Sequence, residues 1–252
     1  MFMLEFGAEC VPRSVSVLGA PREPLWMPVI GVLVETRQGL VALDTGFSRR
    51  FLDDGGACDR VYRGGPRPRG IGDDPFAAAL AGLGRVPAEV ALAAVSHLHC
   101  DHSGGLAQLA HAEVAIHRDE LAFARSATLD DAYYAPDYLD PEPRWRELDG
   151  DTELADGVVA LATPGHTPGH LSFRVDLPES GTWLLAFDAA DLAENVRDGI
   201  PPGLTARPED AERAAASIAR LRAEQERLDA RLVPGHDAAF WRAVRHPAGG
   251  HR

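Results

Sequence analysis

Short apolar runs separated by loops rich in Gly, Pro and Asp set the rhythm of this chain. Residues 29–34 and 40–46 read as two β-rich runs, the second closing on a turn, and predict a hairpin. Residues 90–95 form an apolar run that predicts a strand buried on both faces, with Ser96 and a group of histidines at its carboxyl end. Further strands are predicted over 113–116, 157–162, 171–175 and 183–187, and a last short one over 231–233. Asp74 and Pro75 suit the N-cap and first position of a short amphipathic helix running through Leu83. A second helix is predicted over 118–125, and the strongest helical period lies in 208–231, where Ala, Leu and Ile recur on one face. Residues 54–74 lack such a period and predict a long loop, while 126–150, with Tyr133, Tyr134, Tyr138 and Trp145, predicts a partly ordered cap. Strands, helices, more strands and a final helix follow one another without a linker. That order predicts a single α/β domain over 1–252, built as a four-layer αββα sandwich rather than a doubly wound sheet.

Composition narrows the partners. The 252 residues are 45% hydrophobic, enough for a well-buried core. A formal net charge of −13 without a long basic run opposes a nucleic-acid partner, because phosphate binding relies on clustered cations. No window approaches the roughly 20 apolar residues that span a bilayer, and the acidic start does not resemble a signal peptide, so no membrane partner and a cytoplasmic location are expected. Cys10, Cys58 and Cys100 form an odd set without CxxC spacing, which argues against a disulfide framework.

Candidate chemistry concentrates in five histidines and two aspartates at predicted loop positions after strands. The densest segment is Ser96-His97-Leu98-His99-Cys100-Asp101-His102-Ser103-Gly104-Gly105. Side chains alternate in an extended segment, so His97 and His99 face the same way and can share one ion, while Asp101 and His102 at the following turn can face a second. So many ionisable groups are costly to bury together without a cation. Pro164-Gly165-His166-Thr167-Pro168-Gly169-His170 supplies His166, with His170 supporting it from the next strand. Phe187-Asp188-Ala189 and Pro234-Gly235-His236-Asp237 add Asp188 and His236. Imidazole and carboxylate donors suit zinc, and iron, manganese or cobalt also fit.

This HxHxDH motif, followed by His, Asp and His, resembles the metallo-β-lactamase superfamily, with the match running from Asp44 to His236. The resemblance implies two divalent ions, one on His97, His99 and His166, the other on Asp101, His102 and His236, with Asp188 bridging. It also implies that Asp44 orients a ligand rather than binding metal. Two such ions hold a hydroxide and polarise a carbonyl or phosphoryl oxygen, so hydrolysis is the expected chemistry.

In detail the chain is most similar to N-acyl homoserine lactonases, through the Ser-His-Leu-His core, the Pro-Gly-His-Thr-Pro-Gly-His turn, Glu194-Asn195 shortly after Asp188, and the terminal Gly-His-Asp. That similarity implies a small-molecule lactone or ester substrate. By that resemblance a metal-held hydroxide would attack the lactone carbonyl, and Asp101 or Asp188 would pass a proton to the leaving alkoxide. A glyoxalase II-like thioesterase is the alternative, and a non-catalytic metal-dependent binding protein a third reading. One position departs from the lactonases, which resemble one another in a Tyr three residues after the bridging Asp; here it is Asp191. Either Tyr133 or Tyr134 of the cap replaces that donor, or the substrate differs.

Overall fold

A computed structural model describes residues 1–126, 132–244, 247 and 249–252. Its strands are β1 (Phe2–Pro12), β2 (Pro24–Thr36), β3 (Gly39–Leu43), β4 (Arg69–Gly70), β5 (Val90–Ala94), β6 (Glu113–His117), β7 (Arg144–Leu148), β8 (Thr152–Ala155), β9 (Val158–Ala162), β10 (Leu171–Leu177), β11 (Gly181–Phe187) and β12 (Arg231–Pro234). They form a seven-stranded sheet ordered β4-β1-β2-β3-β5-β6-β7 and a five-stranded sheet ordered β12-β11-β10-β9-β8.

Side-chain alternation divides the apolar residues into three cores, and hence the fold into four layers. Ile30, Val32 and Val34 of β2 and Val41 and Leu43 of β3 point inward and meet Val158, Ala160, Phe173, Val175 and Leu185 of the second sheet. The opposite face of the first sheet, including Val29, Leu33 and Val114, is covered by Phe76, Leu80 and Leu121 from helices Pro75–Ala81 and Arg118–Ala124. Leu161, Leu184 and Leu232 on the outer face of the second sheet are covered by Ile218 and Leu221 of helix Ala211–Leu228. The expected αββα sandwich is therefore the observed one. The expected hairpin is β2–β3, antiparallel from Val32↔Leu43 to Thr36↔Gly39.

Three stretches differ from expectation. The long loop over 54–74 contains helix Gly55–Tyr62, whose Asp54 cap accepts from the Ala57 N–H and whose Ala57, Cys58 and Tyr62 are buried. Its apolar stripe is short and interrupted by polar neighbours, which hides it in a longer window. Residues 2–12 form a full strand antiparallel to β2, lying between β2 and β4. The predicted cap over 126–150 divides: residues 127–131 lie outside the described residues, Pro136–Leu139 is one helical turn, and Arg144–Leu148 is an edge strand parallel to β6. All three cysteines are free and buried. No helix among the described residues is long and apolar enough to cross a membrane.

Candidate metal centre and active site

The seven expected ligands converge where strand ends of both sheets meet. The loop after β5 delivers His97, His99, Asp101 and His102; the turn after β9 delivers His166; Asp188 follows β11 and His236 follows β12. Their ligand atoms form three mutually close groups, His97 with His99 and His166, His97 with His102 and Asp188, and Asp101 with His102 and His236, each within 4.8 Å. Asp188 sits between them. Its Oδ1 lies 3.1 Å from Nε2 of both His102 and His236, and its Oδ2 lies 3.4 Å from Nε2 of His166 and 3.9 Å from Nε2 of His97.

The backbone is bent to make this possible. Asp44 and Phe187 hold left-handed φ values of 59° and 46°, at the ends of β3 and β11, a strained conformation for side-chain-bearing residues. Gly235 permits the close pass of the last loop, since a Cβ there would stand 2.6 Å from the Phe187 carbonyl oxygen.

Hydrogen bonds outside the cluster choose which ring nitrogen faces in. His166 Nδ1 donates to the Leu204 carbonyl at 3.0 Å, and His236 Nδ1 donates to the Pro28 carbonyl at 2.9 Å. His102 Nδ1 donates to Oδ2 of Asp44 at 2.7 Å, while Ser96 supplies its N–H and hydroxyl to the same carboxylate at 2.6 and 2.7 Å. Each ring thus turns Nε2 toward the centre, as a metal ligand requires. The buried Nε2 of His97 has no hydrogen-bond partner. His170 stands beside the cluster, its ring centre 5.4 Å from that of His97 and its Nδ1 2.9 Å from Thr163 Oγ1, outside the three ligand groups.

Electrostatics point the same way. Burial works to raise the Asp188 carboxyl, yet His102, His236 and His166 hold it well below the usual range, and Asp101 is likewise lowered, chiefly by His102. Burial works against the charged form of His102 and His236, but Asp101, Asp188 and Asp44 raise the first well above its ordinary value, and Asp188 helps lift the second to about 10. Burial depresses His166 to about 4 and His170 to about 3. Lone pairs and carboxylates packed this closely form a site that gathers positive charge, so the donor set fits divalent ions.

The chain belongs to the metallo-β-lactamase superfamily. The model of that family matches residues 31–236. Across the superfamily's relatives, the chain is 31% identical to N-acyl homoserine lactonase AttM of Azorhizobium caulinodans, over 99% of this chain and 97% of that protein. It is 30% identical to N-acyl homoserine lactonase AiiA of Bacillus thuringiensis subsp. kurstaki, over 89% of this chain and 87% of that protein. Among superfamily structures, it superposes with a TM-score of 0.83 and 27% identity on an N-acyl homoserine lactone hydrolase with N-hexanoyl-L-homoserine bound at its catalytic metal centre, covering 97% of this chain and 95% of that one.

A cavity of about 730 Å³ opens onto the cluster, lined by His99, Asp101, His166, Asp188 and His236 on one side. Val11, Pro12, Val15, Val61, Pro66 and Leu204 give it apolar walls. Asp191 lines it, but Tyr133 and Tyr134 do not. Tyr133 packs edge-on against His99 at 4.8 Å between ring centres and donates its hydroxyl to Glu120 at 2.7 Å. The Tyr134 hydroxyl goes to Asp54 at 3.3 Å. Both cap hydroxyls thus go to scaffold carboxylates rather than into the cavity.

Three residues with clear roles escaped the sequence reading. Glu120, fully buried, accepts the N–H of Leu98, between two ligands, and the N–H of Gly169, just beyond His166, at 3.1 and 3.3 Å. It staples the two histidine loops together. Gly169 allows the contact, since a Cβ there would meet the Glu120 backbone nitrogen at 2.2 Å. Glu9 and Tyr62 line the cavity, with the Tyr62 hydroxyl donating to Oε2 of Glu9 at 2.8 Å. The alternating Phe2, Leu4 and Phe6 could have revealed the strand that carries Glu9; nothing local marks Glu120 as more than a helix residue.

Proposed function

We propose that this chain is a two-metal lactonase that opens the ring of an N-acyl homoserine lactone or a related small lactone. The position of Asp188 between both ligand groups carries the reading, because a carboxylate shared by two ions is what a paired-metal hydrolase needs. In this reading His97, His99 and His166 hold one ion and Asp101, His102 and His236 the other, with zinc as the metal and Asp44 and His170 in support. The ions supply an activated water and a Lewis acid for the substrate carbonyl.

The chain's own residues do the rest. Asp101 and Asp188 border the cavity, and one of them passes a proton to the leaving alkoxide. The apolar walls take the substrate's hydrocarbon part and keep bulk water from the reacting carbonyl. The two relatives at 30–31% identity, both named as N-acyl homoserine lactonases, support the substrate class.

Metal-loaded protein should open N-acyl homoserine lactones and plain lactones in a titration assay, with two zinc ions per chain by elemental analysis. Thioester turnover in the absence of lactone turnover would replace this reading with a thioesterase.

A further inference from the structure

The hydrogen bonds that aim the ligand rings do not all rest on equally firm backbone. The acceptor for His236 is the Pro28 carbonyl of β2, and the acceptor for His102 is Asp44 at the end of β3. His166 instead donates Nδ1 to the Leu204 carbonyl, and its own carbonyl accepts the Ala206 N–H at 2.8 Å. Both partners lie in residues 200–207, a stretch that belongs to no helix or strand. A metal ligand needs its outer acceptor held still, and a loop without a ladder must be held from elsewhere.

The fastening comes from Glu194-Asn195, the dipeptide that the lactonase similarity singles out and that the metal cluster does not use. Asn195 is fully buried in helix Ala193–Asp198. Its Nδ2 donates to the carbonyls of Ser16 and Ile200 at 2.9 and 2.8 Å, and its Oδ1 accepts the Leu192 N–H at 2.7 Å. Glu194 offers both carboxylate oxygens to the Arg13 guanidinium at 2.5 and 2.6 Å. Beyond this anchor the Val15 carbonyl takes the N–H groups of Gly203 and Leu204, each at 2.8 Å, and the Pro201 carbonyl takes that of Leu18 at 3.0 Å. Gly203 permits the approach, since a Cβ there would stand 1.9 Å from the Ser14 carbonyl oxygen.

We propose that Asn195, assisted by Glu194, is a positioning residue for His166: it pins the start of the 200–207 loop to the Arg13–Ser16 turn, and the loop then presents the Leu204 carbonyl to the ring. The three bonds need one acceptor and two donors at the end of a short side chain, which Asp and Leu do not offer. Val15 and Leu204 also line the cavity, so the same fastening seats part of its apolar wall and the partner of a metal ligand as one piece. The inference rests on the two-metal reading and goes beyond it by naming what holds the ligand of one ion in place.

Histidine ring N–H exchange followed by NMR in the zinc-loaded protein tests this with an internal control, because His236 Nδ1 makes the same kind of bond to a strand. Asn195→Asp keeps the acceptor and gives up both donors. It should speed solvent exchange of the His166 ring N–H about tenfold or more and leave that of His236 unchanged. In a stepwise chelator competition one of the two ions should be held about 10- to 100-fold more weakly, with the other unaffected. Glu194→Gln, at a half-buried position, should move both readouts the same way by less, and it carries the test if Asn195→Asp does not fold. A purely structural residue would loosen both rings and both ions alike; that result, or no change in either ring, overturns the proposal. Neither readout requires turnover. Failure to open any lactone would end the lactonase reading, while the contrast between His166 and His236 would still decide this one.

Discussion

Glu120 and Asp191 are both carboxylates buried beside the same cluster, and they are treated in opposite ways. Glu120 receives two backbone N–H groups and the Tyr133 hydroxyl, so each donor around it is answered within the protein. Asp191 keeps an oxygen unanswered and faces the cavity. Asp44 belongs with Glu120, taking three donors from Ser96 and His102, whereas Asp137, in the Pro136–Leu139 turn, shares the poverty of Asp191, with a buried Oδ2 lacking a hydrogen-bond partner. The contrast separates scaffold from site: a saturated acid holds loops in place, and an unsaturated one either awaits a ligand or lowers stability.

The sharpest way to break the comparison is at Asp188, the acid shared by all parts of the cluster. Asp188→Ala should lower lactone hydrolysis roughly a thousandfold, with loss of bound metal by elemental analysis, because the charge stabilisation supplied by a metal site is worth several kcal/mol. Next comes the staple. Glu120→Ala strands three donors and should cost about 3 kcal/mol in urea unfolding, in metal-free as well as metal-loaded protein. A loss confined to the loaded form would place Glu120 with the ligands instead.

Asp44→Asn tests orientation more gently. The amide presents an N–H to Nδ1 of His102 in place of an acceptor, and metal affinity should drop by about 10- to 100-fold in a chelator competition while unfolding of the metal-free protein changes less. The smallest effect is a pH slope at Asp137, whose carboxyl is pushed up to about 7, mainly by burial and against the opposing pull of Ser48 and Arg50. A raised carboxyl is neutral in the folded chain while already ionised in the unfolded one. Its stabilisation is complete below about pH 4 and is lost as pH rises through about 7, at roughly 1.4 kcal/mol per unit at most. Asp137→Asn should therefore gain on the wild type in urea midpoints measured from pH 5 to pH 7, and parallel curves would count against it.

How much of this could be read in advance follows from the range of each interaction. The β2–β3 hairpin, the β5 strand and the long C-terminal helix announce themselves through local periodicity, and the structure has them with shifted ends. The candidate histidine ligands are legible because their segments carry Gly or Pro near the turn that presents them, whereas Asp188 shows itself only as a carboxylate at the end of an apolar strand. What stays hidden depends on distant partners. Glu120 matters only because Leu98 and Gly169 fold against it, and Glu9 only because β1 brings it beside Asp101 and Asp188. The directions of the Tyr133 and Tyr134 hydroxyls, toward Glu120 and Asp54, stay hidden for the same reason, as the composition of a segment does not say which way a hydroxyl will turn.

The ligand set itself is divided between the two sheets: His97, His99, Asp101 and His102 ride on the first, His166, Asp188 and His236 on the second. Ions bound there would act as rivets between halves of the molecule that otherwise meet through an apolar core and a few hydrogen bonds such as those of Glu120. The temperature at which the halves part company should then climb with the free concentration of the ion, and this enzyme's endurance would be set partly by the supply of metal around it.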